Sequence, residues 1–348
     1  MKVIGDSRPK EIPSVLKLVA SEIGFGGGER IFLDLAKALI ELDVNVVIVT
    51  PEDSKLRKAL SEDGILTAQR IDTNIKATVL LANDFKSLLK SGLSFGMRRG
   101  LICHGPWELT WKKKAYLKFF KVDLFCVSNY VAGFAQGRIR IRRSKISILN
   151  YGPALKKEPD LDSAKVLARE KFGLGADAKV IGSLSRYHSV KRIDELIEIF
   201  REREEILLLG LSTGFNTEDE IGTRELIGRI ELPPNVKIFE NIETSIFFDA
   251  IDVLISLSFS ETLGLTFLEA SARGIPTFTT AKGGPNDFLI HGLNGFFLRH
   301  ESLQENGKEF FNKIQDKNLL ERLVRNSKAI NSHRNPKISA GQIIGTLL

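Results

Sequence analysis

The feature that most constrains the fold of this chain is a regular alternation of short apolar runs with helical patterns. Runs in which neighbouring residues are all apolar are typical of parallel strands that are buried on both faces. The first series is SVLKLVA, VNVVIVT, ATVLLAN, GLICH, DLFCVS and KISILN, and the second is KVIGSLS, EILLLG, NVKIFE, DVLISLS and IPTFT.

Helical segments separate these runs. The segment ERIFLDLAKALIEL places Ile31, Leu35 and Leu39 on one face of a helix between the first two runs. Repetition of this unit predicts an α/β protein, and two series predict two Rossmann-like domains facing across a cleft. A length of 348 residues suits two domains of about 150 residues each. Ligands of open parallel sheets bind at the carboxyl ends of strands, so we expect the site in the cleft.

The join between the two series is predicted in NYGPALKKEPDLDSAK, residues 150–165, where Pro, Gly and charge are concentrated and no periodicity is found. We therefore predict a first domain over 1–155 and a second over 156–335. Residues 336–348 are expected to form a terminal helix that packs back on the first domain.

Composition indicates a soluble cytoplasmic protein. Hydrophobic residues make up 43% of the chain and charged residues 27%, which is ordinary for a globular protein. Cys103 and Cys126 are too few for a disulfide framework and lack metal-ligand spacing. The sequence has no uninterrupted apolar run of about 18 residues, and its first residues lack the apolar region of a signal peptide.

Positive charge is concentrated between residues 98 and 145. This stretch has twelve basic residues but only two acidic ones, while the whole chain has a net charge of +7. Such a surface suits an anionic membrane, a polyanionic substrate or, less well, nucleic acid; the alternative is a solvated helix face and a charged strand edge. Aromatic residues interleave the charges: Trp107, Trp111, Tyr116, Phe119 and Phe120.

Two features of the first series point to a ligand. Gly24, Gly26, Gly27 and Gly28 lie between the first strand and the first helix, where bare backbone and free helix N–H groups attract a phosphate or another oxygen-rich group. His104 follows a strand, so its imidazole is expected to face the cleft and bond a sugar hydroxyl. A tight turn and a structural histidine are the respective alternatives.

The second series begins with a strand followed by two cations. Arg186 and Lys191 precede a helix, where the helix dipole favours anions, so an anionic ligand such as a diphosphate would resolve the conflict. The alternative is a pair of solvated cations. His188 lies between them and is expected to be exposed.

The segment SFSETLGLTFLEASARGIPTF carries two carboxylates around a strand-to-helix turn. Backbone N–H groups of Leu263, Gly264 and Leu265 are predicted to be free to bind a hydroxyl or phosphate. Glu261 and Glu269 would repel phosphate but suit neutral diols, such as those of a ribose or hexose. The alternative is a helix N-cap near Glu261 and a solvent-facing Glu269.

Taken in order, the GGGE loop, the S-R-x4-K motif and the E-x7-E segment resemble family 4 retaining glycosyltransferases of the GT-B fold, also described as glycosyl transferases group 1. The resemblance covers most of the chain and is most specific over residues 252–298. It implies a GT-B architecture with an acceptor-binding first domain and a nucleotide-sugar-binding second domain.

The resemblance also implies roles for individual residues. Arg186 and Lys191 would bind the donor diphosphate, and Glu269 would bind the ribose. No obligatory metal and no cofactor is implied, because the basic residues would replace a metal and the nucleotide-diphosphate sugar is a substrate.

The donor sugar and the acceptor would meet between the domains. The resemblance assigns the donor sugar to Glu261 and to the backbone of Leu263, Gly264 and Leu265, with His104 lining the same site. The glycine loop at Gly26, Gly27 and Gly28 would lie beside the donor phosphate and the acceptor.

The chain departs from the family pattern at two positions. Leu263 stands where Phe or Tyr is common, which keeps an apolar side chain and the same backbone contacts. Asp287 in GGPND replaces a Glu and is shorter by a methylene, which leaves its role near the donor open.

We therefore expect a retaining hexosyltransferase that moves a sugar from a UDP- or GDP-linked donor to a hydroxyl of a glycan or lipid-linked acceptor, in the biosynthesis of cell-surface polysaccharide or glycolipid. A retaining glycosidase needs a carboxylate nucleophile, and the sequence offers no convincing candidate, so front-side attack is expected. The expected location is the cytoplasm, peripherally on the membrane through residues 98–145. The alternatives are a nucleotide-sugar epimerase, a phosphorylase and a non-catalytic nucleotide-sugar-binding module; nucleic acid is a weaker alternative partner.

Overall fold

The computed structural model describes residues 15–68, 78–91, 97–154, 161–299 and 302–348. These residues form two six-stranded sheets, both entirely parallel, together with one short two-stranded sheet. Each large sheet lies between helices, which is the arrangement that the alternating apolar and helical patterns predict.

The first sheet has the strand order β2-β1-β3-β4-β5-β6. Its strands are short and apolar, and three of the six are buried at every residue. The order reverses between β1 and β3, so ligands are expected beyond the carboxyl ends of these neighbours. The strands are β1 (Leu16–Val19), β2 (Val46–Val49), β3 (Val79–Ala82), β4 (Arg98–Cys103), β5 (Asp123–Cys126) and β6 (Ile146–Ile148).

Four of the five helices described in the first half begin at polar N-caps. Ser54, Asp84, Thr110 and Ser128 each accept a hydrogen bond from a backbone N–H of the helix that follows, which satisfies one of the free amides there. The helices are α1 (Gly27–Glu41), α2 (Lys55–Glu62), α3 (Phe85–Lys90), α4 (Trp111–Phe119) and α5 (Asn129–Gly137).

The second sheet has the order β14-β12-β10-β7-β8-β9. Its strands are β7 (Val180–Arg186), β8 (Ile206–Ser212), β9 (Val236–Glu240), β10 (Val253–Ser256), β12 (Thr277–Thr279) and β14 (Gly295–Phe297), while β11 (Ser260–Glu261) and β13 (Lys282–Gly283) form the two-stranded sheet. Its helices are α6 (Leu161–Lys171), α7 (Ile193–Ile199), α8 (Glu218–Gly228), α9 (Thr244–Ala250), α10 (Leu265–Arg273), α11 (Leu303–Ile314) and α12 (Lys317–Asn331).

The last helix, α13 (Pro336–Leu347), contacts the first half of the chain. Gln342 joins it to the end of β6, because its amide nitrogen donates to the Ile148 carbonyl (3.0 Å) and its Oε1 accepts from the Asn150 N–H (3.0 Å). The Arg98 guanidinium donates to the Thr346 carbonyl (2.6 Å). These contacts return the chain from the second sheet to the first.

The predicted GT-B architecture of two Rossmann-like domains is confirmed by this topology. The predicted boundary at residues 155 and 156 lies outside the described residues, as do residues 1–14. Within the described ranges, no helix combines the length and the apolar character needed to cross a membrane.

Not all of the positive charge in the stretch 98–145 lies on the surface. Arg99 lies in β4, between β3 and β5, and is only 3% exposed; its guanidinium stacks on Phe120, 4.7 Å from the ring centroid. Lys145 pairs with Asp123 (2.8 Å). Counting charges along the sequence overestimates the surface charge because it does not show which strand is central.

Candidate functional site

The glycine loop lies where the two halves of the chain meet. Gly26 is the N-cap of α1, and its N–H donates to Glu29 Oε2 (3.0 Å). A Cβ on Gly27 would lie 2.9 Å from Leu265 Cδ1 in the second half, so a larger residue would push against that side chain. Glycine at this position therefore allows the two halves to approach closely without displacing the Leu265 side chain.

His104 lies directly after β4, at the carboxyl end predicted for it. Its Nε2 is 2.9 Å from Asn83 Oδ1, and a Cβ on Gly28 would lie 3.3 Å from the same nitrogen. Burial lowers the pKa of His104 to about 4, against smaller opposing effects of Asp84 and the Asn83 backbone. The ring is therefore neutral at pH 7, and it can donate one hydrogen bond and accept another from neutral groups.

The predicted strand-to-helix turn begins after β11 and leads into α10. Gly264 has a left-handed conformation (φ 84°) and is the N-cap of α10, which starts at Leu265. Leu263 is buried, with 3% exposure. This helix start has no side-chain cap, and Leu265 lies close to Gly27, so the start of α10 adjoins the glycine loop without a side chain that satisfies its first N–H groups. The alternative of an N-cap near Glu261 was wrong, since that residue lies in β11.

Lys191 and Glu261 form an ion pair. Lys191 Nζ lies 2.5 Å from Glu261 Oε1, and the two side chains are 15% and 20% exposed. The structure thus brings together the residue predicted for the diphosphate and the residue predicted for the donor sugar. Neither is a solvated surface charge.

Arg186 is the last residue of β7 and is exposed. Its guanidinium lies 5.8 Å from the centroid of the Phe215 ring, and this ring would be 3.8 Å from a Cβ on Gly26. The Phe215 ring therefore lies between the Arg186 guanidinium and the glycine loop. This arrangement leaves the guanidinium accessible on the second half of the chain, near the loop predicted to lie beside phosphate.

Glu269 lies on α10 and is half-buried rather than facing open solvent. Burial raises the pKa of its carboxyl, while the Arg30 and Arg273 charges oppose the rise. Arg30 belongs to the first turn of α1, so the carboxylate senses a charge from the other half of the chain. A partly desolvated carboxylate of this kind can bind neutral hydroxyl groups strongly.

The dipole argument for an anionic ligand at α7 is weaker than the sequence indicates. Asp194 and Glu195 occupy the first turn of α7, where they already complement its dipole. His188 is not simply exposed, because its Nδ1 lies 2.5 Å from Asp219 Oδ2. The case for a diphosphate therefore depends on the position of Arg186 and Lys191 in the cleft.

Asp287 holds the two halves together in this structure. Its Oδ2 accepts a hydrogen bond from the Asn129 N–H (2.7 Å) at the start of α5. Next to it, the Ser128 hydroxyl donates to the Thr262 carbonyl (2.5 Å). The shorter side chain at position 287 thus serves a contact between the halves.

Three residues at the site were missed in the sequence. Glu29 lies three residues after the N-cap Gly26 and accepts a hydrogen bond from its N–H, which is the position of the acidic residue in a capping box. Asn83 follows β3 just as His104 follows β4, so its position at a strand end was a usable signal. Phe215 gave no signal, because its contact with the glycine loop arises only when the two halves meet.

Residues 165–330 match the family described as glycosyl transferases group 1. This match confirms the resemblance predicted from the motifs, and it covers slightly less than half of the chain.

Two curated relatives illustrate the range of the similarity. A trehalose synthase of Pyrococcus horikoshii is 29% identical over 206 residues, 56% of this chain and 48% of that protein. The capsular polysaccharide biosynthesis glycosyltransferase CapM of Staphylococcus aureus is 25% identical over 225 residues, 60% of this chain and 58% of CapM. The matched part of this chain thus spans about half the length of each relative.

Among solved structures, HepE of Anabaena in complex with UDP and glucose superposes with a TM-score of 0.79. The alignment covers 96% of this chain and 99% of HepE, at 22% identity. At this identity the similarity shows the fold, and it extends over both halves of the chain.

Proposed function

We propose, on the premise that residues 165–330 match glycosyl transferases group 1, that this chain transfers a hexosyl group from a nucleotide-diphosphate sugar to a hydroxyl group. The transfer proceeds with retention at the anomeric carbon. The acceptor is a glycan or a lipid-linked glycan of cell-surface polysaccharide or glycolipid biosynthesis, which is consistent with the similarity to CapM.

The observation that carries the proposal is the meeting of four elements at one cleft. The Lys191–Glu261 pair and the uncapped start of α10 lie on one side. The glycine loop and His104 lie on the other, with Gly27 in contact with Leu265. Cationic groups can bind the phosphates of a sugar diphosphate, and a carboxylate can accept hydrogen bonds from its hydroxyl groups. Free backbone N–H groups can donate hydrogen bonds to its phosphate or sugar oxygens.

Each candidate residue has a role in this proposal. Arg186 and Lys191 bind the diphosphate, and Glu269 binds the ribose hydroxyls. Glu261 and the backbone of residues 263–265 hold the donor sugar, and His104 lines the same site. The donor base is uracil or guanine, and uracil is favoured by the UDP bound in HepE.

The chemical step is a front-side displacement. The bond between the anomeric carbon and the leaving phosphate oxygen breaks, and the acceptor oxygen bonds the anomeric carbon on the same face. The acceptor proton passes to an oxygen of the leaving diphosphate. Negative charge grows on that diphosphate, so Arg186 and Lys191 stabilise the transition state more than the ground state.

The diphosphate needs no obligatory metal in this scheme, because its charge is met by the two cations and by backbone N–H groups. Full turnover after treatment with EDTA is the expected result. Loss of turnover that Mg²⁺ or Mn²⁺ restores would contradict this part of the proposal.

An anionic membrane is proposed as the surface on which a lipid-linked acceptor is met. Trp107, Trp111 and Phe119 are 59%, 76% and 74% exposed and lie on or beside α4. Lys112 and Lys118 are exposed on the same helix. An aromatic and basic helix face of this kind suits the interface of a bilayer with anionic headgroups. The protein would then be peripheral on the cytoplasmic face.

The donor site is tested with a thermal-shift panel of UDP-, GDP-, ADP- and dTDP-sugars on the wild type and on Glu269→Ala. A ligand at about 100 times its dissociation constant adds roughly 2.7 kcal/mol to the stability of the folded state. We expect a shift of several degrees with one nucleotide class, and we expect Glu269→Ala to abolish it.

The other functions give different results. An epimerase converts the donor without an acceptor, and a phosphorylase consumes phosphate, so both are detected by product analysis. A binding module shows the shift without turnover. The anomeric configuration of a product, read from its proton coupling, decides between retention and inversion. No shift with any donor, even with acceptor glycans present, would contradict the proposed donor site.

A further inference from the structure

Asn83 lies between His104 and Glu29, at the carboxyl end of β3. It is only 1% exposed. Its Oδ1 is 2.9 Å from His104 Nε2, and its Nδ2 is 3.3 Å from Glu29 Oε1. A single side chain therefore connects the imidazole at the end of β4 to the first turn of α1.

The direction of these hydrogen bonds follows from the chemistry of Glu29. Its Oε2 accepts from the Gly26 N–H (3.0 Å), and its Oε1 faces Asn83. An ionised carboxylate can only accept hydrogen bonds, so the amide nitrogen of Asn83 must face Glu29 and the amide oxygen must face His104. An amide oxygen accepts, and the proton of the shared bond therefore lies on His104 Nε2.

The imidazole is neutral and has a single N–H proton. The nitrogen that carries this proton can donate a hydrogen bond to a ligand, and the other ring nitrogen can accept one. With the proton on Nε2, the other ring nitrogen, Nδ1, is an acceptor. The ring is also confined, since a Cβ on Gly28 would lie 3.3 Å from Nε2. Burial lowers the pKa of His104 to about 4, which excludes the doubly protonated form at neutral pH.

We infer that Asn83 is a positioning residue that, oriented by Glu29, holds His104 in the Nε2-protonated tautomer so that Nδ1 accepts a hydrogen bond from a sugar hydroxyl in the cleft. The ligand part of this inference rests on the proposed function, whereas the tautomer does not. The relay also couples His104 to the glycine loop, because Glu29 is held by the Gly26 N–H.

The tautomer is measured directly by long-range ¹H–¹⁵N correlation NMR on the ¹⁵N-histidine-labelled full chain at pH 8, without ligand. The chain has five histidines, and His104→Gln assigns the relevant signals. We expect a protonated Nε2 and an unprotonated Nδ1. Burial raises the pKa of the Glu29 carboxyl, while the Gly26 and Glu29 N–H groups oppose the rise, so the measurement is made well above the ordinary pKa of a glutamate.

Glu29→Gln is the decisive variant because it keeps the size of the side chain. A carboxamide can donate as well as accept, which allows the Asn83 amide to turn over and present its nitrogen to His104. We expect part of the His104 population to change to the Nδ1-protonated tautomer. Glu22→Gln is the matched control, since it removes a charge from the same loop but Glu22 pairs with Lys86 (2.9 Å) instead.

Binding measurements test the ligand part. Asn83→Ala and Glu29→Gln are each expected to weaken binding of the nucleotide sugar threefold to tenfold, which is the range for one net hydrogen bond, and to leave UDP or GDP binding unchanged. Equal weakening of both ligands would indicate a merely structural role and overturn the inference.

The inference is also overturned if wild-type His104 carries its proton on Nδ1, or if Glu29→Gln leaves the tautomer as in the wild type. Failure of the proposed function looks different: no nucleotide or nucleotide sugar binds the wild type, while the tautomer result is as expected.

Discussion

Lys191 Nζ and Glu261 Oε1 are 2.5 Å apart, and both side chains are largely buried in the cleft. The ammonium group proposed for the donor diphosphate is therefore neutralised before any ligand arrives. In the proposed function, a diphosphate that enters the cleft competes with Glu261 for Lys191, and Glu261 would then be released to bind the neutral hydroxyls of the sugar. Glu261 is therefore expected to oppose the binding of a nucleoside diphosphate. It is expected to favour the binding of a nucleotide sugar, because the sugar supplies hydroxyl groups for its carboxylate.

Removal of the carboxylate by Glu261→Ala is expected to separate these two ligands. A partly exposed ion pair contributes about 1 kcal/mol, so UDP or GDP should bind equally well or up to about fivefold more tightly. The nucleotide sugar loses hydrogen bonds to a charged group, and its affinity should fall by about tenfold or more. Calorimetric titration measures both.

Glu195→Gln is the control for this comparison, because it disrupts the nearby ion pair with Arg192 and should affect neither ligand. Parallel losses of affinity for the two ligands in Glu261→Ala would contradict the assignment of Glu261 to the sugar.

Lys191→Ala is expected to lower turnover by a factor on the order of 10² to 10³, because charge on the departing diphosphate loses one stabilising group. Turnover at saturating donor and acceptor measures this effect. Lys165→Ala is a matched control in the same half of the chain, since Lys165 also pairs with a carboxylate, Asp252 (2.7 Å). Undiminished turnover in Lys191→Ala would exclude this residue from the chemical step.

Glu269 is expected to reduce stability at neutral pH while serving the ribose. Burial raises the pKa of its carboxyl, so the folded state binds this proton more tightly than the unfolded state. The contribution of this carboxyl to the free energy of unfolding is therefore fully present below its ordinary pKa. It is lost as pH rises through the pKa that the carboxyl has in the folded state. A loss of stability at neutral pH is expected of a residue that is kept for binding, as proposed for Glu269 and the ribose.

The matching experiment compares thermal midpoints of the wild type and Glu269→Gln from pH 5 to pH 8. At pH 8 the variant should have a midpoint equal to the wild type or up to about 3 °C higher, and the difference should shrink at low pH. Glu225→Gln, an exposed glutamate, should show no such trend. A variant that is several degrees less stable at pH 8 would show that the ionised carboxylate stabilises the fold.

Strand ends were the most reliable guide in the sequence. The apolar runs locate β4 and β7, and His104 and Arg186 follow from the positions at which those runs end. In open parallel sheets the carboxyl ends form one edge, so residues far apart in sequence are expected at one site. This reasoning needs only local patterns, and the structure shows the strands where those patterns place them.

Contacts between residues far apart in the sequence were not predictable in the same way. The partners Lys191 and Glu261 are 70 residues apart, and Asp287 binds the Asn129 N–H over 158 residues. Whether a charge is paired depends on packing that no local pattern encodes. The same reason explains Arg99, which reads as surface charge but is buried on Phe120 in a central strand.

The exposed aromatic face of α4 provides a test that is independent of the donor site. We expect the protein to co-sediment with vesicles containing anionic phosphatidylserine and to be released by salt, because Lys112 and Lys118 lie near the surface of the bilayer. The double variant Trp111→Ala, Phe119→Ala should lower the partition coefficient at least tenfold, since each ring buries apolar area worth more than about 1 kcal/mol at the interface.

The control for this loss is Ile221→Ala, Leu226→Ala on α8, where two exposed apolar side chains (54% and 47%) lie on the other half of the chain. This variant should partition like the wild type. Absence of salt-sensitive binding to the vesicles at low ionic strength would show that the exposed face of α4 is a solvated surface and not a membrane-binding one. Tight, salt-dependent binding to RNA without binding to vesicles would instead assign this face to nucleic acid, because phosphate contacts dominate such complexes.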